Sequence, residues 1–224
     1  MSTILITGAN GSLAIPAVEY LLGAYPSLTV ILTARDVSNE DRNTAELRRV
    51  IAKFPDAAVS VRKLDLNSLE EVQSFSEGLN KEVHDGKVPR LLAVLCNAMS
   101  WKLSGGPAYS KDGFEKTIAI NHLAQFALSL RLLQSMDTEH GRIVFLGSVA
   151  HWPDKSALSK GFPTKLPERL DWLVHPLSDE AGEEMGRGMQ RYGTSKLVVL
   201  MVMYELNRRM KMVSTASPCK HSPH

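Results

Sequence analysis

Five apolar runs of strand length, none interrupted by proline, alternate along the chain with longer segments of helical period: 3–7, 28–34, 59–64, 91–96 and 142–147. Proline cannot donate to a sheet ladder, and strands buried on both faces read as near-continuous Val, Ile and Leu. Helices are expected between them at 12–25, 40–53, 68–85, 112–136 and 190–211. The third carries Glu70 and Glu71 just after Ser68, which suits the positive end of a helix dipole. Strands that alternate with helices imply βαβ units and a parallel sheet covered on both faces.

Length and charge narrow the rest. A chain of 224 residues fits one domain, expected over 1–211, with a polar tail over 212–224. The 26 Lys+Arg and 24 Asp+Glu leave a formal charge of +2, too even for a nucleic-acid or anionic-membrane footprint. A small molecule is therefore the expected partner. Cys96 and Cys219 have no metal or CxxC spacing, no metal is expected, and the pair suits a reducing, cytoplasmic setting. The N-terminal run meets a glycine turn at once, which leaves no room for a signal segment, and 197–204 is far shorter than the roughly 20 residues a spanning helix needs. Residues 152–188, rich in Pro, Gly and charge, read as an insertion or lid.

The first strand runs into Thr7, Gly8, Ala9, Asn10, Gly11, Ser12, Leu13 and Ala14 and then a helix. Small residues there let backbone amides approach a pyrophosphate, and the helix dipole adds partial positive charge without a lysine. Without a ligand, the same turn is a tight βα connection. The second strand ends at Arg35, where a Rossmann-type fold distinguishes a 2′-phosphate from a ribose hydroxyl. A guanidinium forks onto phosphate oxygens, so NADP(H) is expected over NAD(H); a solvated pair with Asp36 is the alternative.

Asp65-Leu66 after the third strand, Asn97-Ala98 after the fourth, then Asn121, Ser148 and Tyr192-x-x-x-Lys196 follow in order. This ordered set resembles the short-chain dehydrogenase/reductase family, most closely its fungal keto-steroid-reductase-type and carbonyl-reductase-type members, over about residues 3–210. The resemblance implies a doubly wound Rossmann-type α/β domain and a catalytic set of Asn121, Ser148, Tyr192 and Lys196. Reduction of a ketone needs a hydride, a proton for the developing alkoxide and donors that stabilise its charge. Tyr192 would give the proton, and Lys196, one turn on, would stabilise the phenolate and hold the nicotinamide ribose. Ser148 would donate to the substrate oxygen and Asn121 would hold a water in the proton path; otherwise Ser148 caps a turn and Asn121 satisfies buried backbone. Asp65 and Leu66 would meet the adenine, and Asn97 and Ala98 would line the adenosine side.

The sequence departs from the family pattern in the first turn, after the fourth strand and at its C-terminal end. Ser12 and Ala14 stand where the second and third glycines of the turn are usual, and Met99 replaces the glycine that commonly follows Asn-Ala. After the helix at 190–211 the resemblance implies further strands and a substrate-covering lid; the expectation is that these are missing, with an exposed sheet edge open to pairing or to a homodimer. The leading expectation is an NADP(H)-dependent reductase of a hydrophobic, steroid-like or polyketide-like carbonyl compound. A catalytically impaired nucleotide-binding partner of an intact reductase, or an inactive gene product, is the alternative.

Overall fold

A computed structural model describes residues 2–159 and 161–216; side chains are described for the same residues apart from 157 and 212–216. The strands are β1 (Thr3–Ile6), β2 (Thr29–Ala34), β3 (Ala58–Lys63), β4 (Leu91–Cys96) and β5 (Arg142–Phe145). All pair in parallel in the order β3-β2-β1-β4-β5. Strand order reverses between β1 and β4, and in open α/β sheets ligands bind beyond the carboxyl ends of the strands at such a point.

The helices are α1 (Ala14–Ala24), α2 (Arg42–Ile51), α3 (Leu69–His84), α4 (Lys116–Ile118), α5 (Gln125–Leu132) and α6 (Glu184–Ala216). Asp41 caps α2 by accepting from the Thr44 amide, and Ser68 caps α3 by accepting from the Glu71 amide. Two apolar clusters sandwich the sheet. One holds Leu5, Val94, Val72, Leu79, Leu128 and Leu132; the other holds Ile4, Ile6, Val18, Leu22, Leu32 and Leu47. Alternate residues of β1 feed opposite clusters, as a strand period of two requires.

Two expected helices differ from their sequence reading. The segment 112–136 is broken: its start is a turn, and between α4 and α5 the chain widens into a π-helix over Ala119–Ala124. Such π segments are uncommon and gather at functional sites, and the apolar pattern carries no mark of one. The last helix begins at Glu184, inside the expected insertion, and its backbone runs on to Ala216, into the expected polar tail. The remainder of that tail, 217–224, lies outside the described residues. Gly193 lets the insertion close onto α6, because a Cβ there would overlap the Thr164 hydroxyl and the Ala150 carbonyl.

The insertion is also held by charge. Arg191 donates to both carboxylate oxygens of Asp179, at 2.6 and 2.8 Å, with Glu115 4.0 Å from its Nε, and the three side chains are largely buried. In the sheet, β5 pairs with β4 alone among the described residues, and Val144 and Leu146 are exposed. No helix among the described residues is long and apolar enough to cross a membrane.

His122, in the π-helix, is buried and stacks on Phe126 with ring centres 5.5 Å apart. Burial pushes its imidazole down from the ordinary 6.5 to about 4. Over that interval the unfolded chain binds a proton that the folded chain does not, so acidification favours unfolding. Stability is expected to fall by on the order of 3 kcal/mol from this group as pH drops from 6.5 to about 4, and to level off below. Urea unfolding of wild type and His122→Leu across that range checks it: the variant should show a shallower dependence.

Candidate active site

A cleft of about 490 Å³ lies at the reversal of strand order. It gathers Gly8, Asn10, Gly11, Ser12 and Leu13 from the first turn, Arg35 from the end of β2, Asp65 and Leu66 after β3, Asn97 and Ala98 after β4, and Tyr192 and Lys196 from α6. Three expected site residues, Thr7, Asn121 and Ser148, do not line it.

Thr7 is fully buried and joins two strands instead. Its Oγ1 accepts from the amides of Asn97 and Ala98 at 3.0 and 3.1 Å, and Gln125 Nε2 lies 3.1 Å away. Asn97 Nδ2 donates to the carbonyls of Thr7 and Gly8 at 2.9 and 3.0 Å. Both side chains therefore shape the turn from beneath. Gln125, which the sequence reading passed over, donates also to the Ala98 carbonyl at 3.0 Å. The only available signal was a long amide on an otherwise apolar helix face.

Gly8 has φ +60, the left-handed region that glycine adopts without penalty. A Cβ there would sit 2.8 Å from both Cα and Cβ of Ala98. The Gly11 amide donates to the Gly8 carbonyl, and the amides of Ala14 and Ile15 both donate to the Gly11 carbonyl. The amides of Asn10, Ser12 and Leu13 make no hydrogen bond among the described residues, and all three residues line the cleft. These are the donors that a pyrophosphate requires, and α1 has no side-chain cap competing for them.

At the far end of the turn, Asn10 Nδ2 donates to Asp41 Oδ1 and Thr44 Oγ1 at 3.2 and 3.0 Å, tying the turn to the start of α2. Asp36 accepts from the Ser38 amide at 2.8 Å, and Asp41 from the Thr44 amide at 2.7 Å. Those amides hold both carboxyls below the usual carboxylate range. Arg35 is exposed beside them and makes no hydrogen bond or salt bridge among the described residues, but its charge also helps to hold both carboxyls down. Asp36, Asn43 and Asp41 also line this end; of these the sequence pattern points only to Asp36, as a charge partner of Arg35. Asp65 accepts from the Asn67 amide at 3.0 Å and lies 3.5 Å from Lys111 Nζ.

At the other end, Tyr192 is buried with its ring edge-on to Trp101, centres 5.5 Å apart. Lys196 Nζ donates to the Leu146 carbonyl at 2.8 Å and lies 5.9 Å from the centre of the Tyr192 ring. Burial pushes the Lys196 ammonium down from its ordinary value, with Cys96 acting weakly the other way. Ser148 Oγ accepts from the Ala150 amide at 3.2 Å and so caps the short turn Val149–His151. Asn121 satisfies buried backbone: its Oδ1 accepts from the Ser100 amide at 2.6 Å and its Nδ2 donates to the Ser100 carbonyl at 2.9 Å. Met99, Trp101 and Leu146 leave this end apolar and exposed. A second cavity of about 370 Å³, between the insertion and α6, is lined by Ile118, Trp172, Leu173, Leu177, Arg191 and Ser195 among others. Among the described residues no cluster of His, Cys, Asp or Glu could hold a metal ion.

Residues 2–157 match the short chain dehydrogenase family. The chain belongs to that family. A short-chain dehydrogenase of Talaromyces variabilis, iccH, is 29% identical over 236 residues, covering 93% of this chain and 64% of its own. Among solved structures, an uncharacterized protein of Mycobacterium paratuberculosis is 28% identical with a TM-score of 0.68, covering 96% of this chain and 64% of that one. The NADPH-bound carbonyl reductase from chicken fatty liver shares the fold at 16% identity and a TM-score of 0.62, with 94% and 75% covered. The chain thus spans less than two thirds of the length of iccH.

Gly8→Ala is expected to cost about 1–2 kcal/mol from the positive φ alone, and more from overlap with Ala98. Denaturant unfolding should register that loss, and nucleotide titration should show weaker binding because the free amides of the turn are displaced.

Proposed function

We propose that the chain is an NADP(H)-dependent oxidoreductase, a ketone reductase or alcohol dehydrogenase acting on a small hydrophobic carbonyl or alcohol, built as one domain over 1–211. The observation that carries this reading is the one cleft joining unpaired amides, an exposed Arg35 and the buried Tyr192–Lys196 pair.

The cleft suits a dinucleotide along its whole length. Asn10, Ser12 and Leu13 offer amides to a pyrophosphate, Arg35 a guanidinium to a 2′-phosphate, and Leu66 and Ala98 apolar surface to the adenosine. Asp36 and Asp41 are already engaged by backbone amides, which leaves the Arg35 guanidinium, near both carboxylates, as the cation at this end that can turn its N–H groups to a phosphate. The bound cofactor supplies or accepts the hydride. Tyr192 protonates the alkoxide as it forms, and the Lys196 ammonium beside it stabilises the phenolate left behind. In the oxidative direction the same hydroxyl takes the proton. Trp101, Ala150 and Met189 pack on the tyrosine and keep water from it, which strengthens both electrostatic effects.

An apolar carbonyl compound fits the open end, where Met99, Trp101 and Leu146 are exposed. A second reading, a nucleotide-binding protein with impaired catalysis that partners an intact reductase, draws on the same exposure and on Ser148, whose hydroxyl is turned into its own cap. The two readings differ in turnover.

Arg35→Ala should weaken NADPH binding about 10- to 100-fold, the worth of one charged hydrogen-bonded contact, and leave NADH binding unchanged. Tryptophan quenching during titration measures both. Tyr192→Phe should lower NADPH-dependent reduction of an aryl alkyl ketone such as propiophenone by about 10²- to 10⁴-fold while nucleotide binding persists. Nucleotide binding without any wild-type turnover would support the impaired-partner reading instead.

A further inference from the structure

The helical turn that carries Tyr192 and Lys196 is held from behind. Ser195, fully buried, sits on the side of α6 that lines the second cavity and not the cleft. Its hydroxyl donates to the Tyr192 carbonyl at 2.7 Å and accepts from Asn121 Nδ2 at 2.9 Å. Asn121 in turn grips the amide and carbonyl of Ser100, a residue of the cleft wall. The chain of contacts Ser100–Asn121–Ser195–Tyr192 thus runs from the loop after β4, through the π-helix, into the turn between the two residues of the proposed chemistry. In a regular helix the Tyr192 carbonyl is the acceptor for the Lys196 amide, so the serine acts on the one peptide group that both residues share. A serine bonding back to its own helix in this way competes with the helical bond for that carbonyl, and here the contact is referenced to the opposite wall of the cleft through Asn121.

We propose that Ser195 is a positioning residue: by linking Asn121 to the Tyr192 carbonyl it sets the tyrosine hydroxyl and the lysine ammonium against the β4 wall of the cleft. The proposal rests on the reductase reading for its catalytic consequence. Displacement of a reacting group by a fraction of an ångström slows chemistry while cofactor affinity changes little, because the turn amides and Arg35 that would hold the phosphates lie at the opposite end of the cleft.

Thr194 provides the comparison. It is buried on the same turn and donates one hydroxyl hydrogen bond, to the Lys165 carbonyl at 3.0 Å, but it ties α6 to the insertion. The full chain and its Ser195→Ala, Ser195→Cys, Ser195→Thr and Thr194→Ala variants are compared by melting, by NADPH titration and by propiophenone reduction across pH. Tyr192 is followed by ¹³C NMR of labelled tyrosine, with its signal assigned from Tyr192→Phe. Ser195→Ala should lower kcat about tenfold, leave NADPH affinity within about twofold, and move the Tyr192 signal and its titration midpoint. Ser195→Cys, with weaker hydrogen bonds in the same shape, should move in the same direction and stands in if the alanine variant does not fold. Ser195→Thr, which restores the hydroxyl, should recover most of the loss. Thr194→Ala should lower the melting temperature while the Tyr192 signal stays in place. If Ser195→Ala and Thr194→Ala alter kcat and the Tyr192 signal alike, or if neither moves it, Ser195 is only a stabilising hydroxyl and the proposal is overturned. Absence of wild-type turnover would defeat the reductase reading alone; the Tyr192 signal still decides the clamp, upheld by movement in Ser195→Ala and not Thr194→Ala.

Discussion

The close approach of the turn after β1 to the end of β4 governs the site. Gly8 lies so near Ala98 that no side chain fits between them, and the contact is held by a buried knot in which Thr7, Asn97 and Gln125 satisfy one another and the adjoining backbone. Such a knot is costly to leave half made, since a buried donor or acceptor without a partner loses its water for nothing. It is complete here. The floor of the cleft is therefore rigid, and the free amides of Asn10, Ser12 and Leu13 are presented at its rim.

The same economy runs through the other half of the site. Asn121 and Ser148 serve in this structure as backbone-satisfying groups, the roles their residue types most often take, and Asn121 also reaches Ser195 behind the tyrosine. Of the four residues expected to carry the chemistry, Tyr192 and Lys196 face the cleft, together with the amides of the turn and Arg35. Around that set the insertion is docked by the buried Arg191–Asp179 pair, one residue from Tyr192. A buried pair of this kind contributes little net stability but is expensive to break on one side, so it favours a single seating of the insertion.

Most of the sheet was legible in the sequence. Proline-free apolar runs mark every strand, most clearly β1 and β2, which are buried nearly throughout, and β4 falls on the residues expected of it while the other strands shift by one or two positions. The π-helix and the early start of α6 were not legible. Hydrophobic period reports which side of a helix is buried, and it does not report a widened turn or a helix whose first residues are polar because they meet an insertion of mixed character.

The linear order of Gly8, Arg35, Asp65, Asn97, Tyr192 and Lys196 and the spacing of the last two determined which chemistry the chain could host, because local spacing decides what a single turn or helix face presents. Only the tertiary structure decided which side chains face the cleft and which hold it together. Thr7, Asn121 and Ser148 turn to backbone groups, with Gln125 and Ser195 joining them, because buried polar atoms must find partners and most of those partners lie tens of residues away in sequence.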